Sequence, residues 1–366
     1  MRGLAGRGLA PRFGLRLPVV QAPMAGGITT VDLVAAVCEA GALGSLAAAM
    51  LSPARIVAEV GALRARTDRP FAVNLFVFDP PASFSRAGES AAMALLADWR
   101  ARYGLPPQTS PQTVCEPFLD QLDAVIALAP PVVSFHFGLP PAEAIRALKA
   151  AGSRIVGTAT QASEARAWAE AGADAVVAQS LEAGGHQGCF DPHSTAEPLG
   201  LFALLPAVRH ALTGSGVAVI AAGGLMAGAD IAAALTLGAD GVQLGTAFLA
   251  TRESGAPEHW KAALAEGETR GTRLTRAFSG RRARGLVNDF MNAMQPHEAS
   301  LPVYPVQNAL TAELRAAATR AGDIEAMSLW AGQSAARARA MPAAHLLQTM
   351  EDEFEAALAA LMGDAA

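Results

Sequence analysis

The sequence predicts an α/β barrel in which eight parallel strands alternate with helices and two insertions add a helical lid. Short β-branched segments alternate with alanine- and leucine-rich segments along the first 250 residues, which is typical of βαβ units in a parallel sheet. Three helix ends also read alike: "KAAGSRIVG", "AEAGADAVVAQ" and "LTLGADGVQLG" each contain a helix end, a glycine and a buried strand. A chain of 366 residues accommodates one barrel with a lid, because barrels of this class commonly exceed about 200 residues.

Eight strands are predicted, each followed by turn residues. They are Val19–Ala22, Ala42–Leu46, Phe71–Val77, Val132–His136, Arg154–Thr158, Ala175–Ala178, Ala218–Ala221 and Gly241–Leu244. The predicted helices between them include Thr30–Ala40, Pro141–Ala151, Ser163–Ala171, Leu201–Leu212 and Ala229–Leu237. Several of these helices end at a glycine, the residue that most readily adopts the left-handed conformation of a helix stop. These glycines are Gly41, Gly152, Gly172 and Gly238.

Two segments interrupt the repeat. Residues 79–129 follow the third strand and are expected to be helical around Ser90–Tyr103, and residues 251–326 follow the eighth strand, with helices near Pro257–Glu266 and Ala309–Ala321. In a barrel both insertions would lie at the C-terminal face. We therefore expect a barrel formed by residues 1–78, 130–250 and 327–366, a lid formed by 79–129 and 251–326, and a last helix, Ala343–Met362, that closes the outer ring.

Charge and hydropathy exclude several classes of protein. The formal charge is −5 and Lys149 and Lys261 are the only lysines, so no basic stripe is available to neutralise nucleic-acid phosphates. No apolar run reaches the roughly 18 residues that a membrane span needs. We expect neither a nucleic-acid nor a membrane partner.

The first 17 residues and the cysteines bear on location. The opening segment contains four arginines without a continuous apolar stretch, unlike an export signal; an organellar transit peptide is the alternative, although the segment is short and lacks serine. Cys38, Cys115 and Cys189 are widely spaced and form no C-x-x-C pair. A reducing cytoplasm is therefore expected.

Two glycine-bearing loops follow the last two predicted strands. Gly223 and Gly224 come directly after the seventh strand, and Gly245 and Thr246 directly after the eighth. Glycines in such loops let backbone N–H groups approach an anion, and the loops after strands seven and eight form the usual phosphate site of these barrels. The alternative is that they are simply tight turns. We predict a phosphorylated cofactor here.

The loop after the sixth strand, "AQSLEAGGHQGCF", concentrates glycines around a histidine. Such a loop can wrap a ligand, to which Gln179 and His186 offer hydrogen bonds. Zinc bound by His186 and Cys189 is the competing interpretation, but two ligands are too few and His193 lies on the same irregular loop. No metal site is expected.

Strand four ends in "VVSFHFG", which carries His136 to the mouth of the barrel. A histidine at a strand end suits proton transfer near neutral pH; a core histidine with one satisfied hydrogen bond is the alternative. Strands one and three end in "QAPMAGG" and "VNLFV". Their polar groups suit the edge of a flavin ring, and the residues concerned are Pro23, Met24, Ala25 and Asn74.

Seven motifs, in matching order from about Pro18 to Gln333, make the chain resemble the nitronate monooxygenases once called 2-nitropropane dioxygenases, most of all class I. The motifs are "QAPMAGGIT", "VNLFV", "VSFHFG", "EAGGHQG", "AAGGL", "GVQLGTAFL" and "SLWAGQ". The resemblance implies an FMN enzyme that takes one electron from an alkyl nitronate or propionate 3-nitronate, forms a flavin semiquinone and passes an electron to O₂. The products would be a carbonyl compound and nitrite, and no nicotinamide cofactor would be needed.

The resemblance also assigns roles to residues. It makes His136 the active-site histidine, as a base toward a nitroalkane or a donor to the anionic nitro group, and Tyr304 the better-placed tyrosine at the substrate. Arginines in the lid, such as Arg276 or Arg281, could hold a substrate carboxylate, and the sequence does not choose among them. For Trp330 a simple packing role is the alternative. The residues implied around FMN are Pro23, Met24, Ala25, Asn74, Gln179, Gly184, Gly185, His186, Gly223, Gly224, Gln243, Gly245, Thr246, Trp330 and Gln333.

Other functions stay open at this stage. One is an FMN-dependent NAD(P)H reductase of quinones or enoyl thioesters, since such enzymes carry a similar "GGHQG" loop; another is a flavin-binding barrel without catalysis. The expected partners are a small nitronate and O₂. The sequence does not choose between monomer and dimer.

Overall fold

The computed structural model describes residues 4–6, 8–78, 85–194, 196–361 and 363. The strands of this part are β1 Val19–Gln21, β2 Gly44–Ala47, β3 Phe71–Phe76, β4 Val132–His136, β5 Arg154–Ala159, β6 Ala175–Gln179, β7 Gly185–His186, β8 Ala218–Ala222, β9 Gly241–Leu244, β10 Thr272–Thr275 and β11 Ala283–Leu286. The helices are α1 Leu9–Phe13, α2 Val31–Glu39, α3 Pro53–Arg64, α4 Glu89–Arg102, α5 Phe118–Leu128, α6 Ala142–Ala150, α7 Ala162–Glu170, α8 Leu201–Ala211, α9 Gly228–Thr236, α10 Thr246–Leu249, α11 Glu258–Ala265, α12 Gly267–Arg270, α13 Asp289–Met294, α14 Val306–Ala321 and α15 Ala343–Leu361.

Eight parallel strands form the barrel, in the order β1-β9-β8-β6-β5-β4-β3-β2. The two ends of this sheet meet at a bridge between Val20 and Leu43. There the Leu43 N–H donates to the Val19 carbonyl at 2.9 Å, and the Gln21 N–H donates to the Leu43 carbonyl at 2.9 Å. The predicted barrel and its eight strands are confirmed, with β2 beginning at Gly44 instead of Ala42.

The barrel interior is a small apolar core. Alternate residues of the strands, such as Val20, Val132 and Ile220, point inward and pack together, as the two-residue period of a strand requires. Leu9 and Phe13 of α1 belong to the same cluster, and the Leu9 N–H donates to the Asp240 carbonyl at 2.6 Å, just before β9. Helix α1 therefore fills the N-terminal end of the barrel and leaves the C-terminal end for a ligand.

A larger core lies between the strands and the ring of helices. The side chains of Thr30 and Ser52 begin α2 and α3 by accepting the N–H groups of Leu33 and Arg55, at 3.0 and 3.4 Å. Helix α15 packs on α9 and α2, so the ring closes as predicted. Within the described ranges, no helix has the length and apolar character needed to cross a membrane.

The predicted lid segment ends at residue 129 and would therefore include helix α5, but this helix packs on the barrel. It packs against β3, α3 and α6, and Phe118, Leu122 and Val125 belong to the core beneath the ring. The spacing of these three residues gives α5 one apolar face, which is buried in that core. Residues 79–84, where the first insertion was expected to begin, and Met362, the predicted last residue of the final helix, lie outside the described residues.

The lid has an apolar core of its own, separate from the barrel cores. Helix α4 contributes Leu96 and Trp99, and the segment after β9 contributes residues such as Phe278, Phe290 and Leu310. Strands β10 and β11 pair antiparallel, and β11 pairs with β7 in the glycine loop, where Ala283 is opposite His186. The lid is thereby attached to the loop after β6. The full division of the chain into barrel and lid segments stays a prediction.

Candidate active site

A cavity of about 650 Å³ opens at the C-terminal ends of the barrel strands, beneath the lid. Parallel register explains how separate strands contribute to it: Phe76 is opposite His136, and Gln179 and Gln243 are both opposite Ala222. Fifteen of the residues predicted to bind the cofactor or substrate or to act in catalysis line the cavity, namely Pro23, Met24, Ala25, Asn74, His136, Gln179, Gly184, Gly185, His186, Gly223, Gly224, Gln243, Gly245, Thr246 and Trp330. Tyr304 lines it too. Their roles toward a ligand stay predictions.

Gln333, which was predicted to lie at the cofactor, does not line the cavity. Its side chain is exposed, and its backbone N–H donates to the Glu182 carbonyl at 3.0 Å. The neighbours Gly332 and Ser334 line the cavity instead. The "WAGQ" segment thus reaches the site mainly through its backbone, which the motif alone did not indicate.

One end of the cavity is built from backbone. The N–H groups of Gly223, Gly224 and Gly245 donate to no acceptor in the described part of the chain, and all three residues line the cavity. Gly223 has a φ of 127°, a conformation that residues with a Cβ rarely adopt. The hydroxyl of Ser180 next to Gly223 is buried without a hydrogen-bond partner among the described residues. Unpaired donors around a glycine turn fit an anion such as a phosphate.

The start of helix α9 contributes few free N–H donors to this end. Asp230 accepts the N–H groups of Met226 and Ala227, at 2.7 and 3.0 Å, and Glu353 accepts that of Gly228 at 2.9 Å. Carboxylates therefore already occupy the first donors of the helix. The donors left for a ligand are those of the glycine loops that follow β8 and β9.

The opposite wall of this end also depends on glycine. A Cβ on Gly184 would lie 2.6 Å from the backbone of Ala331 and Gly332, so the two segments pack backbone to backbone. The Gly332 N–H donates to Thr246 Oγ1 at 2.9 Å. This contact joins the loop after β6, the segment after Trp330 and the loop after β9 around one pocket. We call this glycine-lined pocket the cradle, and side chains larger than glycine would fill it.

The walls next to the middle of the cavity are fixed by hydrogen bonds. Thr29 accepts the Met24 N–H at 2.9 Å and returns its own N–H to the Met24 carbonyl at 2.9 Å. Asn74 donates its Nδ2 to Ser134 Oγ at 3.0 Å, which leaves its Oδ1 as an acceptor. A rigid backbone and a neutral amide suit the polar edge of a planar ring.

His136 and the glycine loop form one hydrogen-bonded unit. His136 Nε2 lies 3.1 Å from the His186 carbonyl, to which Gln179 Nε2 also donates at 3.0 Å. Gln179 Oε1 accepts the Gly188 N–H at 2.7 Å. A Cβ on Gly188 would lie 2.6 Å from the His136 ring. Gln179 and Gly188 therefore position the loop and the imidazole against each other.

One contact defines where His136 carries its hydrogen. A carbonyl only accepts, so His136 Nε2 carries the hydrogen and Nδ1 is the acceptor. His186 Nε2 lies 2.8 Å from Ser279 Oγ, a hydroxyl that can donate or accept, and Ser279 Oγ also lies 3.1 Å from the Arg281 carbonyl. In each ring Nδ1 has no hydrogen-bond donor among the described residues.

Both imidazoles are neutral at physiological pH. Burial, together with the charge of Arg281, lowers the pKa of His136 to about 4, although its hydrogen bond to the His186 carbonyl acts in the opposite direction. Burial is also the main reason why the pKa of His186 is lowered to about 3, with smaller contributions from His136, Arg281 and Arg315. Neutral His136 is thus available as a proton acceptor at neutral pH.

An aromatic cluster covers the histidines. Tyr304 stands edge-on to His186 and to Phe137, each with ring centroids 5.6 Å apart. Trp330 lies 5.6 Å from His186 and also 5.6 Å from Phe278, so it both lines the cavity and packs in the lid. Burial raises the pKa of Tyr304, and its hydroxyl stays protonated as a hydrogen-bond donor.

The arginines that line the cavity, Arg315 and Arg320, are not the two that were named as examples from the sequence. Neither Arg276 nor Arg281 lines the cavity; the guanidinium of Arg281 stacks 3.8 Å from the centre of the Phe137 ring and donates to the Cys189 carbonyl. Arg315 of α14 lines the cavity instead, together with Asn308. The sequence missed this pair because nothing local shows which face of α14 turns toward the barrel. Within the described ranges, no three His, Cys, Asp or Glu side chains are grouped to hold a metal.

The matching family model and the sequence relatives agree on one family. The family model of nitronate monooxygenase matches residues 13–353. The chain is 41% identical over 353 residues to a nitronate monooxygenase from Paraburkholderia phytofirmans, covering 95% of each chain. It is 42% identical over 345 residues to a nitronate monooxygenase from Pseudomonas aeruginosa, covering 93% of this chain and 97% of that relative.

A solved structure extends the likeness to three dimensions. The nitroalkane oxidase from Streptomyces ansochromogenes matches with a TM-score of 0.88 and 45% sequence identity, covering 95% of this chain and 98% of that one. Sequence and fold agree over the barrel and the lid. The chain therefore belongs to the nitronate monooxygenase family of oxidoreductases.

Proposed function

We propose that this chain binds FMN in the cavity and oxidises alkyl nitronates with O₂. The observation that carries the proposal is a neutral His136 at one end of a cavity whose other end is a cradle of unpaired backbone N–H groups. When bound, FMN supplies electron transfer from the nitronate to O₂, which yields a carbonyl compound and nitrite. Family membership supports nitronate oxidation, and FMN, O₂ and the roles below are our proposals.

The phosphate of FMN would bind the glycine end. Gly223, Gly224 and Gly245 would donate their N–H groups to it, and Thr246 and Ser180 offer hydroxyls nearby. Asn74, Met24 and His186 would then contact the ring. The fit is favourable because donors without a protein partner gain one when the anion binds.

The chain's own residues would prepare the substrate. Among the described residues no Asp or Glu lines the cavity, and the buried charges of Arg281 and Arg315 favour an anion such as a nitronate. His136 Nδ1 would accept the α-proton of a neutral nitroalkane, since its Nε2–H is already bonded to the His186 carbonyl. Phe76, Phe137 and Tyr304 would exclude water from the reacting carbon.

A cytoplasmic location belongs to the same proposal. Cys38, Cys115 and Cys189 are all free thiols, as expected in a reducing compartment. The partners would be small molecules.

The test combines spectroscopy with product assays. The purified chain should show flavin absorbance, release FMN on denaturation, and consume O₂ and form nitrite with ethyl nitronate or propionate 3-nitronate without NADH or NADPH. FMN-loaded protein that releases no nitrite from any nitronate would contradict the proposal. Rapid anaerobic bleaching of the flavin by NADH or NADPH would favour a reductase of quinones or enoyl thioesters.

A further inference from the structure

A buried guanidinium lies close to the two histidines of the site but outside the cavity lining. Arg281 is only 6% exposed, and no carboxylate lies within 4.0 Å of its side chain among the described residues. Its Nη2 donates to the Cys189 carbonyl, whereas its Nε is buried without a hydrogen-bond partner in the same part of the chain. Burial lowers the pKa of this guanidinium, but an arginine side chain in a protein still keeps its charge. The interior thus holds a positive charge without an adjacent counter-ion.

The ring of Phe137 provides the closest stabilising contact for this charge. The guanidinium carbon of Arg281 lies 3.8 Å from the centre of the ring. A cation above an aromatic face is attracted by the ring, and more strongly so where water is excluded. Phe137 is 4% exposed and does not line the cavity either. Arg281 and Phe137 therefore form a stacked pair that supports the cavity wall without contacting a ligand.

The backbone of Phe137 has a conformation that its side chain disfavours. Its φ is 78°, in the left-handed region that bulky residues rarely adopt, so surrounding contacts must stabilise it. Phe137 directly follows His136 at the end of β4, and the centroids of these two rings are 4.7 Å apart. Contacts that hold Phe137 in place therefore also hold the His136 imidazole.

Arg281 holds the segment on another side of the imidazole as well. The Cys189 carbonyl that accepts from Arg281 directly follows Gly188. A Cβ on Gly188 would lie 2.6 Å from the His136 ring, so this backbone packs directly on the imidazole. One guanidinium thus contacts both the residue that follows His136 and the loop that packs against it.

The charge of Arg281 also reaches His136. The titratable and charged groups around the two histidines and Arg281 come from several elements and are Glu164 in α7, Cys189 in the loop after β6, Tyr304 before α14 and Arg315 in α14. Burial raises the pKa of both the Cys189 thiol and the Tyr304 hydroxyl, so neither is charged at neutral pH. After burial, which is the larger cause, Arg281 lowers the pKa of His136 and of His186, whereas Arg315 lowers that of His186.

We propose that Arg281 is a positioning residue for His136: stacked on Phe137 and bonded to the Cys189 carbonyl, it sets the orientation of the imidazole and favours its neutral form. The proposal rests on the function proposed above, in which His136 accepts a proton from a neutral nitroalkane. It adds a residue that acts on this proton acceptor from outside the cavity.

The first experiment follows the His136 imidazole without turnover. NMR of the FMN-loaded chain, labelled with ¹³C at histidine Cε1, gives the protonation midpoint of His136, and the resonance is identified by its loss in His136→Asn. The wild-type midpoint should lie near pH 4. Arg281→Met should raise the midpoint by about 0.5–1 pH unit, because a nearby positive charge is removed.

Two variants are the controls for this measurement. Arg282→Met removes the next arginine, which donates to the Ala196 carbonyl at 3.3 Å and should leave the midpoint of His136 unchanged. Arg281→Lys keeps a positive charge in the acid range and should also keep the wild-type midpoint. An unchanged midpoint in Arg281→Met, or an equal rise in Arg282→Met, would overturn the proposal.

Kinetics distinguish positioning from a merely structural role. With nitroethane, at a pH well above both midpoints, Arg281→Met should lower kcat about 10-fold or more, because the imidazole is displaced. KM should change little, since Arg281 does not line the cavity. The acid limb of kcat/KM should move to higher pH by the amount that NMR measures. A loss of kcat that is equal at every pH, with no movement of the limb, would make Arg281 a structural residue only.

Phe137→Leu tests the stacked pair from its other side and keeps the proposal testable if Arg281→Met does not fold. It removes the aromatic face but keeps an apolar side chain, and it should lower kcat several-fold. Arg281→Lys should recover part of the kcat that Arg281→Met loses, because an ammonium group does not stack as a planar guanidinium does. Wild-type kcat in both Phe137→Leu and Arg281→Lys would contradict the positioning role. A wild type that oxidises neither nitroethane nor a nitronate would contradict the proposed function, and the NMR midpoints would still test Arg281.

Discussion

The two ends of the cavity are built from different parts of the polypeptide. At the glycine end, Gly223, Gly224 and Gly245 present backbone N–H groups directly at strand ends. At the reacting end, side chains from distant segments meet, with His136 from β4 and Tyr304 and Arg315 from the lid. The first end depends on φ angles and close backbone contact, whereas the second depends on how the lid packs. Substitutions should therefore separate cofactor retention from turnover.

The largest expected effect is at the glycine end. Gly223→Ala places a Cβ in a conformation with φ of 127° and against Ser180, which costs about 1–3 kcal/mol and distorts the cradle. We expect the variant to purify with little or no flavin, as measured by absorbance near the flavin maximum.

Gly61→Ala is the matched control for that substitution. Gly61 lies within α3 and a Cβ there meets nothing within 4 Å, so this variant should keep its flavin and gain about 0.5–1 kcal/mol in stability. A Gly223→Ala protein with full FMN content would mean that the phosphate binds elsewhere.

At the reacting end, His136→Asn should leave FMN bound and lower turnover. With a neutral nitroalkane the loss should be about 10²–10⁴-fold in kcat, because the proton acceptor is removed. With the corresponding nitronate, which has already lost that proton, the loss should be smaller. Nitrite assays with both substrates measure the difference, and unchanged kinetics would make His136 a structural residue.

A smaller effect is expected from Gly188→Ala. Its Cβ would lie 2.6 Å from both the His136 ring and Thr158, so the imidazole must move while FMN stays in place. A displacement of about 1 Å commonly costs on the order of 100-fold in rate, and we expect a loss of up to that size in kcat. Wild-type kcat in a variant whose FMN content is also unchanged would show that the ring tolerates the shift.

The last expected effect concerns the dependence of folding stability on pH and leaves the comparison of kinetics aside. Below pH 6.5 the unfolded chain protonates His136 and His186, whereas the folded chain keeps them neutral down to about pH 4 and about pH 3. Stability should therefore fall as pH decreases from 6.5 to 4, each histidine contributing a slope of about 1.4 kcal/mol per pH unit.

Urea unfolding of His136→Asn measures that contribution, because the variant should lose part of the slope. His345→Asn, at an exposed position on α15, is the control for removing one histidine. Equal slopes in wild type and His136→Asn would show that His136 is not held neutral in the folded chain.

The comparison between the two ends also explains what the sequence could predict. The eight strands and the glycine loops follow from local patterns, so the cavity wall formed by strand ends was predicted almost completely. His136 was predicted because the alternation of β4 carries it to the strand end. Helix α5 was assigned to the lid because the sequence of an inserted helix and that of a barrel helix cannot be told apart when no strand lies between them.

The sequence could not predict that Arg315 and Asn308 line the cavity, because their position depends on tertiary packing. Helix α14 was predicted at Ala309–Ala321, but its Leu310 and Leu314 face could pack against either the lid core or the barrel. Only the packing of that face in the lid core turns Arg315 toward the cavity. The sequence named Arg276 and Arg281 as examples without choosing between them, and both lie away from the cavity lining.

The orientation of FMN tests the central claim most directly. A crystal structure of the FMN-loaded chain should place the phosphate within about 3 Å of the backbone nitrogens of Gly223, Gly224 and Gly245, with the ring beside His136. Finding the phosphate on Arg315, at the α14 side of the cavity, would contradict the assignment of the phosphate to the glycine loops.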